Sequence, residues 1–177
     1  MYSLGIFSKD RVVKLTDVPQ SSIGAPCPMV VAEEGCTTVV FYLENASANW
    51  DGRTVRVVEP ESTEDSYAVV TFSLTGAHYF GAPNDEAFAG HPLAKKGLRP
   101  YGAFEITDST WMKLSVKRNR VHPHHREEAY FGLKHFVLSF HNSIFECLAR
   151  SYKIETARGS IHSAARALME NRKNASH

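Results

Sequence analysis

The sequence predicts a β-rich α+β domain: a curved antiparallel sheet, shaped as a half-open barrel or a sandwich, with a C-terminal helix packed on it. Three observations lead there. The first hundred residues are dense in β-branched and aromatic residues and are broken repeatedly by turn formers. Clear helical spacing is confined to the C-terminal end. Strand patterns do not alternate with crossover helices, and no Gly-x-Gly-x-x-Gly follows a strand, which disfavours a doubly wound parallel fold.

Taken in order, strands are expected over residues 3–7, 11–15, 29–32, 37–44, 54–59 and 67–75. Glu34-Gly35 is the turn between the third and fourth, with glycine supplying the positive φ. Residues 45–52 and 60–65 read as polar surface loops. From Gly76 to Arg99 the regular pattern stops. Residues 80–93 carry Gly and Pro punctuation around a single helical turn that Asn84 would cap, with Asp85 and Glu86 complementing its dipole. A loop of that length inside a compact domain is a place to look for function.

Strand character resumes over residues 101–107. Residues 110–119 fit either an alternating strand or a helix. A cap at Asp108 or Ser109 and the cations Lys117, Arg118 and Arg120 at the far end favour helix. A short helix over 126–134 then delivers the chain to a hairpin. Finally, Ser160 caps a helix over about 160–173, with Ile161, Ala165, Leu168 and Met169 inward and Arg166, Glu170, Arg172 and Lys173 outward; the tail from Asn171 is expected to fray.

The hairpin over 135–150 carries the most information. With Asn142-Ser143 as the turn, His141 pairs with Ile144, Phe140 with Phe145, Ser139 with Glu146 and His135 with Arg150. Alternation puts Phe136, Leu138, Phe140, Phe145, Cys147 and Ala149 on one face and His135, Ser139, His141, Glu146 and Arg150 on the other. One face is core; the other offers acids, bases and metal-ligand groups.

With 177 residues and no internal repeat or low-complexity linker, one domain over 1–177 is expected, long enough to bury roughly two-thirds of its unfolded surface. A net charge of +1 gives no global pull toward nucleic acid or anionic membrane. The basic run Lys113, Lys117, Arg118, Arg120 and Arg126 lacks a stripe of stacking aromatics and reads as a solvated helix face, so no nucleic-acid partner is expected. Three cysteines, an odd count, suit reduced thiols better than a disulfide framework. No apolar run approaches the ~20 residues of a membrane helix, and the N-terminal residues lack a basic segment followed by an apolar stretch. The expectation is a cytoplasmic protein with no membrane partner.

Histidine is the outlier, with nine residues concentrated after residue 77. Strand parity in phase with Val70 and Phe72 points His78 inward at the mouth of the sheet, where the alternative role is a buried imidazole satisfied by a carbonyl. His141 and Glu146 are diagonal neighbours across the turn. With His78 they form a candidate divalent-metal set (His78, His141, Glu146), a third ligand from His91, Asp85 or Glu86 being the other choice. His135 and His141 lie about 20 Å apart along one strand and cannot share an ion. The alternative is a solvated polar face. His122, His124 and His125 form an exposed loop cluster that binds metal only adventitiously, and neither Cys-x-x-Cys nor His-Glu-x-x-His occurs. Cys147 on the apolar face is an inert thiol, Ser139 lacks a nucleophile-elbow context, and Cys27 is fixed between prolines.

The functional reading that asks least is general acid–base chemistry by His78, Asp85, Glu86, His91, His141 and Glu146, in a pocket between the 78–91 loop and the 135–150 hairpin, acting on a small-molecule substrate. It requires these groups to converge within about one side-chain length. The competing reading is a non-catalytic small-molecule-binding, immunity or regulatory module, in which they diverge and an apolar patch is exposed elsewhere. Unpaired edge strands would also permit a homodimer.

Overall fold

The computed structural model describes residues 9–44 and 57–175. The strand expected over 3–7, the 45–52 loop and residues 54–56 lie outside them; residues 57–59 are not strand. Nine strands among the described residues form two antiparallel sheets. The elements are β1 (Arg11–Lys14), β2 (Met29–Glu33), β3 (Gly35–Tyr42), β4 (Ser66–Thr75), β5 (Ala77–Gly81), β6 (Gly102–Thr107), α1 (Thr110–Asn119), β7 (Lys134–Ser139), β8 (Ile144–Ala149), β9 (Ser151–Arg158) and α2 (Ile161–Ala175). One sheet has the order β1-β6-β7-β8-β5 and the other β2-β3-β4-β9.

The sheets face each other across a core in which Phe41 meets Phe140, and Phe72 touches Phe136 and Phe145, with ring centroids 5.2, 5.6 and 5.4 Å apart. They are joined along one corner. The chain along which strand parity extends from Phe72 to His78 in fact bends at Leu74–Gly76: β4 ends in one sheet and β5 begins in the other, while β8 and β9 make the matching step. Gly76 N–H to Leu148 O (2.8 Å) and Arg150 N–H to Ser73 O (2.9 Å) carry the pairing round the corner. Leu74 takes φ +52° there, a conformation unfavourable for a branched residue and held by the ladder on either side. The result is a sandwich open on its other side, without barrel closure.

Each sheet also has a covered outer face. On the β2-β3-β4-β9 sheet, alternation sends Val40 and Tyr42 outward to α2, where Ile161 packs on them. This is why β3 reads as one continuous apolar run: both its faces are buried. Ser160 caps α2 as expected, accepting from Ser163 N–H at 3.2 Å. The helix continues to Ala175 rather than fraying at 171. Arg172, expected outside, turns in and donates to Thr38 Oγ1 at 2.7 Å while pairing with Glu33.

On the other sheet, residues 82–101 form a strap across the outer face. Asn84 caps its first turn, accepting from Ala87 N–H at 3.0 Å. Phe88, Leu93 and Leu98 press down on Phe104, Ile106, Val137 and Ile144, making a second core under what the sequence shows only as a loop. The helix choice for 110–119 holds: Ser109 Oγ accepts from Met112 N–H at 3.1 Å, and Asp10, from before β1, accepts from both Thr110 N–H and Thr110 Oγ1. The helix expected over 126–134 shrinks to a 3-10 turn at Glu127–Tyr130.

Candidate functional site

The chemistry-bearing residues sit where the strap, β8 and the β7–β8 turn meet, and hairpin register decides who meets whom. The turn is His141-Asn142, closed by Phe140 N–H to Ser143 O at 2.8 Å, not Asn142-Ser143. Ser139 therefore faces Ile144, and Val137 faces Glu146. The pairing moves by two residues, so the two faces keep the expected membership while every partner changes. His135 becomes the diagonal neighbour of Glu146, and His141 moves out to the turn.

Two separate His–carboxylate groups result. The inner one is buried beneath the strap. Glu146 is 1% exposed, and its carboxylate lies between two imidazoles: His135 Nε2 at 2.9 Å from Oε2 and His91 Nε2 at 3.4 Å from Oε1. The flanking bonds assign the tautomers. Leu93 N–H donates to His91 Nδ1 at 3.2 Å, so His91 carries its proton on Nε2 and donates to the carboxylate. Ser109 Oγ, which accepts from the α1 backbone, lies 2.9 Å from His135 Nδ1 and ties the ring to the start of α1, with His135 Nε2 turned to the carboxylate. Trp111 closes the site edge-on at 5.0 Å from the His135 ring, and Phe88 stacks by His91. Both imidazoles turn Nε2 toward the carboxylate, which suits a buried carboxylate.

The outer group joins the two ends of the strap to the hairpin turn. Asp85, at the strap's entry, accepts from Tyr101 at its exit through a short hydrogen bond, and His141 Nδ1 lies 3.0 Å from the same Asp85 Oδ2 and 2.9 Å from the Tyr101 hydroxyl. Asp85 Oδ1 takes the N–H of Glu86, and Asp85 N–H donates to His141 O at 2.9 Å, so backbone and side chain both hold the pair. Tyr101 has φ +57°, the left-handed region, a cost its hydroxyl contacts help to offset. The Tyr101 hydroxyl first, and His141 second, hold the Asp85 carboxyl below its ordinary value, while the carboxylate pushes the Tyr101 phenol up to about 12. With Nδ1–H directed at Asp85, His141 turns Nε2 outward. That atom makes no hydrogen bond among the described residues, and the side chain is 39% exposed.

The six expected site residues are thus distributed unevenly. Asp85 meets His141, and His91 meets Glu146. Glu86 is exposed and contributes only its backbone N–H. His78 pairs with Cys147 across β5–β8, so it occupies the sheet face opposite Glu146, exposed beside Phe145 on an edge strand. The set His78, His141 and Glu146 is not assembled, because a strand places alternate residues on opposite faces and His141 belongs to the turn. No group of three or more His, Cys, Asp or Glu among the described residues is placed to hold a metal ion.

Sequence reasoning missed Tyr101, Ser109 and His135 as partners. The signal for His135 was present, since a turn one residue earlier puts it diagonal to Glu146; no periodicity marks Tyr101. Ser139, weighed as a nucleophile, is a buried tie that accepts from Gly102 N–H at 3.0 Å and donates to Arg99 O at 2.8 Å. The Cys147 thiol is pushed well up by burial and then by the neighbouring Glu146.

Comparison with protein-family models, with curated proteins and with solved structures finds no match to this chain. The site must speak through its own chemistry.

Proposed function

We propose that this protein is a small enzyme that transfers protons to and from a small-molecule substrate, with His141 as the general acid–base and Asp85 as the group that orients it. One observation carries the reading: His141 Nδ1 lies 3.0 Å from the Asp85 carboxylate, so the opposite nitrogen faces solvent. In the working cycle, Nε2 accepts a proton from substrate or from an attacking water. Asp85 stabilises the imidazolium that forms, and Nε2 returns the proton to the departing group. Tyr101 fixes Asp85 and so acts as a positioning residue. The reading keeps the 78–91 loop and the hairpin as the two sides of the site, and reduces the catalytic set to Asp85 and His141.

The three cysteines among the described residues, Cys27, Cys36 and Cys147, are all free thiols, which supports a reducing compartment and hence a cytoplasmic protein. Among the described residues no helix is long and apolar enough to cross a membrane.

The test is the reactivity of His141 toward diethyl pyrocarbonate, followed by peptide mass spectrometry. His141 should be carbethoxylated several-fold faster than the more exposed His122 and His124, and Asp85→Asn should remove that advantage. A panel of small esters, lactones and amides should then yield a turnover that His141→Gln abolishes and His124→Gln leaves intact. Equal reactivity of His141 and His122, or turnover indifferent to His141→Gln, overturns the proposal.

A further inference from the structure

The sheet edges differ in what they leave open. Among the described residues, the edge strands β1, β2 and β5 run four, five and five residues, whereas β9 runs eight at the margin of its sheet. Two backbone bonds fix which groups of β9 face outward. Gly159 N–H donates to Asp65 O and Leu43 N–H to Ser66 O, each at 2.9 Å. Bonding alternates along an antiparallel ladder, so even-numbered residues of β4 bond to β3 and odd-numbered ones to β9. The N–H and C=O of Tyr152, Ile154 and Thr156 therefore point away from β4, and no described residue bonds to them.

The charges beside this edge select a partner. Lys153 and Glu155 stand on the outer face of the sheet, opposite Thr71 and Val69 of β4. They pair with each other along the strand, yet their side chains remain 74% and 61% exposed. Consider a second copy laid antiparallel along the edge. With Lys153 on the two-fold axis, lysine meets lysine; with Glu155 there, glutamate meets glutamate. With Ile154 on the axis, Lys153 of each copy faces Glu155 of the other, at a non-hydrogen-bonded position where Cα atoms approach to about 4.5 Å. Tyr152 then faces Thr156, and Ser151 faces Ala157, with no like charges opposed among them. Arg158, at the strand end, is already balanced by Glu64 at 2.9 Å. Edges are commonly protected by charge of one sign, as β1 is by Arg11 and Lys14. One charge of each sign, symmetric about Ile154, instead attracts a second copy.

We infer that β9 is the contact between two copies of this chain, related by a two-fold axis at Ile154, so that the two four-stranded sheets become one continuous sheet. Backbone bonds from Tyr152, Ile154 and Thr156 hold the copies together, and the Lys153–Glu155 oppositions set the register.

The experiment is sedimentation equilibrium of the full chain and two charge variants. The unaltered protein should sediment as a dimer. Lys153→Glu, which surrounds the axis with carboxylates, and Glu155→Lys, which surrounds it with ammonium groups, should each weaken self-association at least about tenfold, with native circular dichroism and Tm. Mixed in equal amounts, the two variants should form a one-to-one heterodimer, read by native mass spectrometry, because every opposition is again between unlike charges. Unaltered protein that stays monomeric, single variants that dimerise as tightly as it does, or a mixture that yields no heterodimer each overturn the inference. His141 sits on the β7–β8 turn of the other sheet, so its reactivity is a separate readout.

Discussion

His135→Leu tests the inner polar network, because it removes one imidazole from a site that is almost fully buried. His135 is 1% exposed and bridges Ser109 and Glu146, each at 2.9 Å. Leucine fills much of the ring's volume, so the cavity contribution is small. The lost hydrogen bonds dominate: a donor to a buried carboxylate is worth about 1.5–3 kcal/mol and the bond from the Ser109 hydroxyl about 1 kcal/mol. The sum, about 2.5–4 kcal/mol, is close to the cost of breaking a buried polar pair by deleting one member. At this chain length that corresponds to a fall in Tm of roughly 10 °C. Urea denaturation should show the midpoint shifting with an unchanged m-value. The double variant His135→Leu/Glu146→Leu should recover much of the loss, because the stranded charge is gone, giving a coupling of about 2 kcal/mol in the mutant cycle. A single-variant cost under about 1 kcal/mol, or strict additivity, would refute the assignment of Glu146 as a buried carboxylate held by two imidazole donors.

Four other outcomes follow from the same geometry. Phe72→Ala, at the centre of the inter-sheet aromatic cluster with Phe136, Phe145 and Tyr152, should cost about 3–5 kcal/mol by chemical denaturation, whereas His141→Ala in the half-exposed turn should cost less than about 1 kcal/mol. The depressed Asp85 carboxyl contributes stability that is present above the ordinary aspartate value and lost as pH falls through its lowered one; Asp85→Asn should flatten that part of an acid denaturation profile. Tyr101, raised to about 12, works in the opposite sense: its contribution is complete below about pH 10 and disappears between there and about 12, so its tyrosinate absorbance should appear late, and at ordinary pH in Asp85→Asn. Cys147 should resist an aromatic disulfide reagent until the protein unfolds, while Cys27, partly exposed, reacts in the native state.

How far the site could be read in advance follows from particular residues. The two-residue alternation of Phe136, Leu138, Phe140, Phe145 and Cys147 assigned the core face of the hairpin correctly even with the wrong turn, because the register moved by an even step. The same step moved Glu146 from Ser139 to Val137 and so exchanged its histidine partner, His141 giving way to His135. The phase of His78 along the strand held through Gly76, yet the chain had meanwhile changed sheets, and being in phase with Phe72 no longer meant being buried. His91 and Tyr101 lie on the strap, where no period exists to give them a direction. Their positions come from Phe88, Leu93 and Leu98 sinking into the outer face of the sheet.

The sequence by itself determined what is local or periodic: β1 to β4 and β6 to β8 but not β9, the Gly35 turn, the caps at Asn84, Ser109 and Ser160, the C-terminal helix and the division of the hairpin into an apolar and a chemical face. These depend on backbone dihedral preference, on hydrogen bonds between residues three apart, and on alternation, all of which act over a few positions. Only the tertiary structure decided that the histidines and carboxylates form two groups rather than one, with Glu146 buried between His91 and His135, and Asp85 holding His141 toward solvent. Those pairings depend on a one-residue choice of turn and on how a strap without periodicity settles across a sheet. Both are set by the summed packing of side chains distant in the chain, information that no local pattern carries.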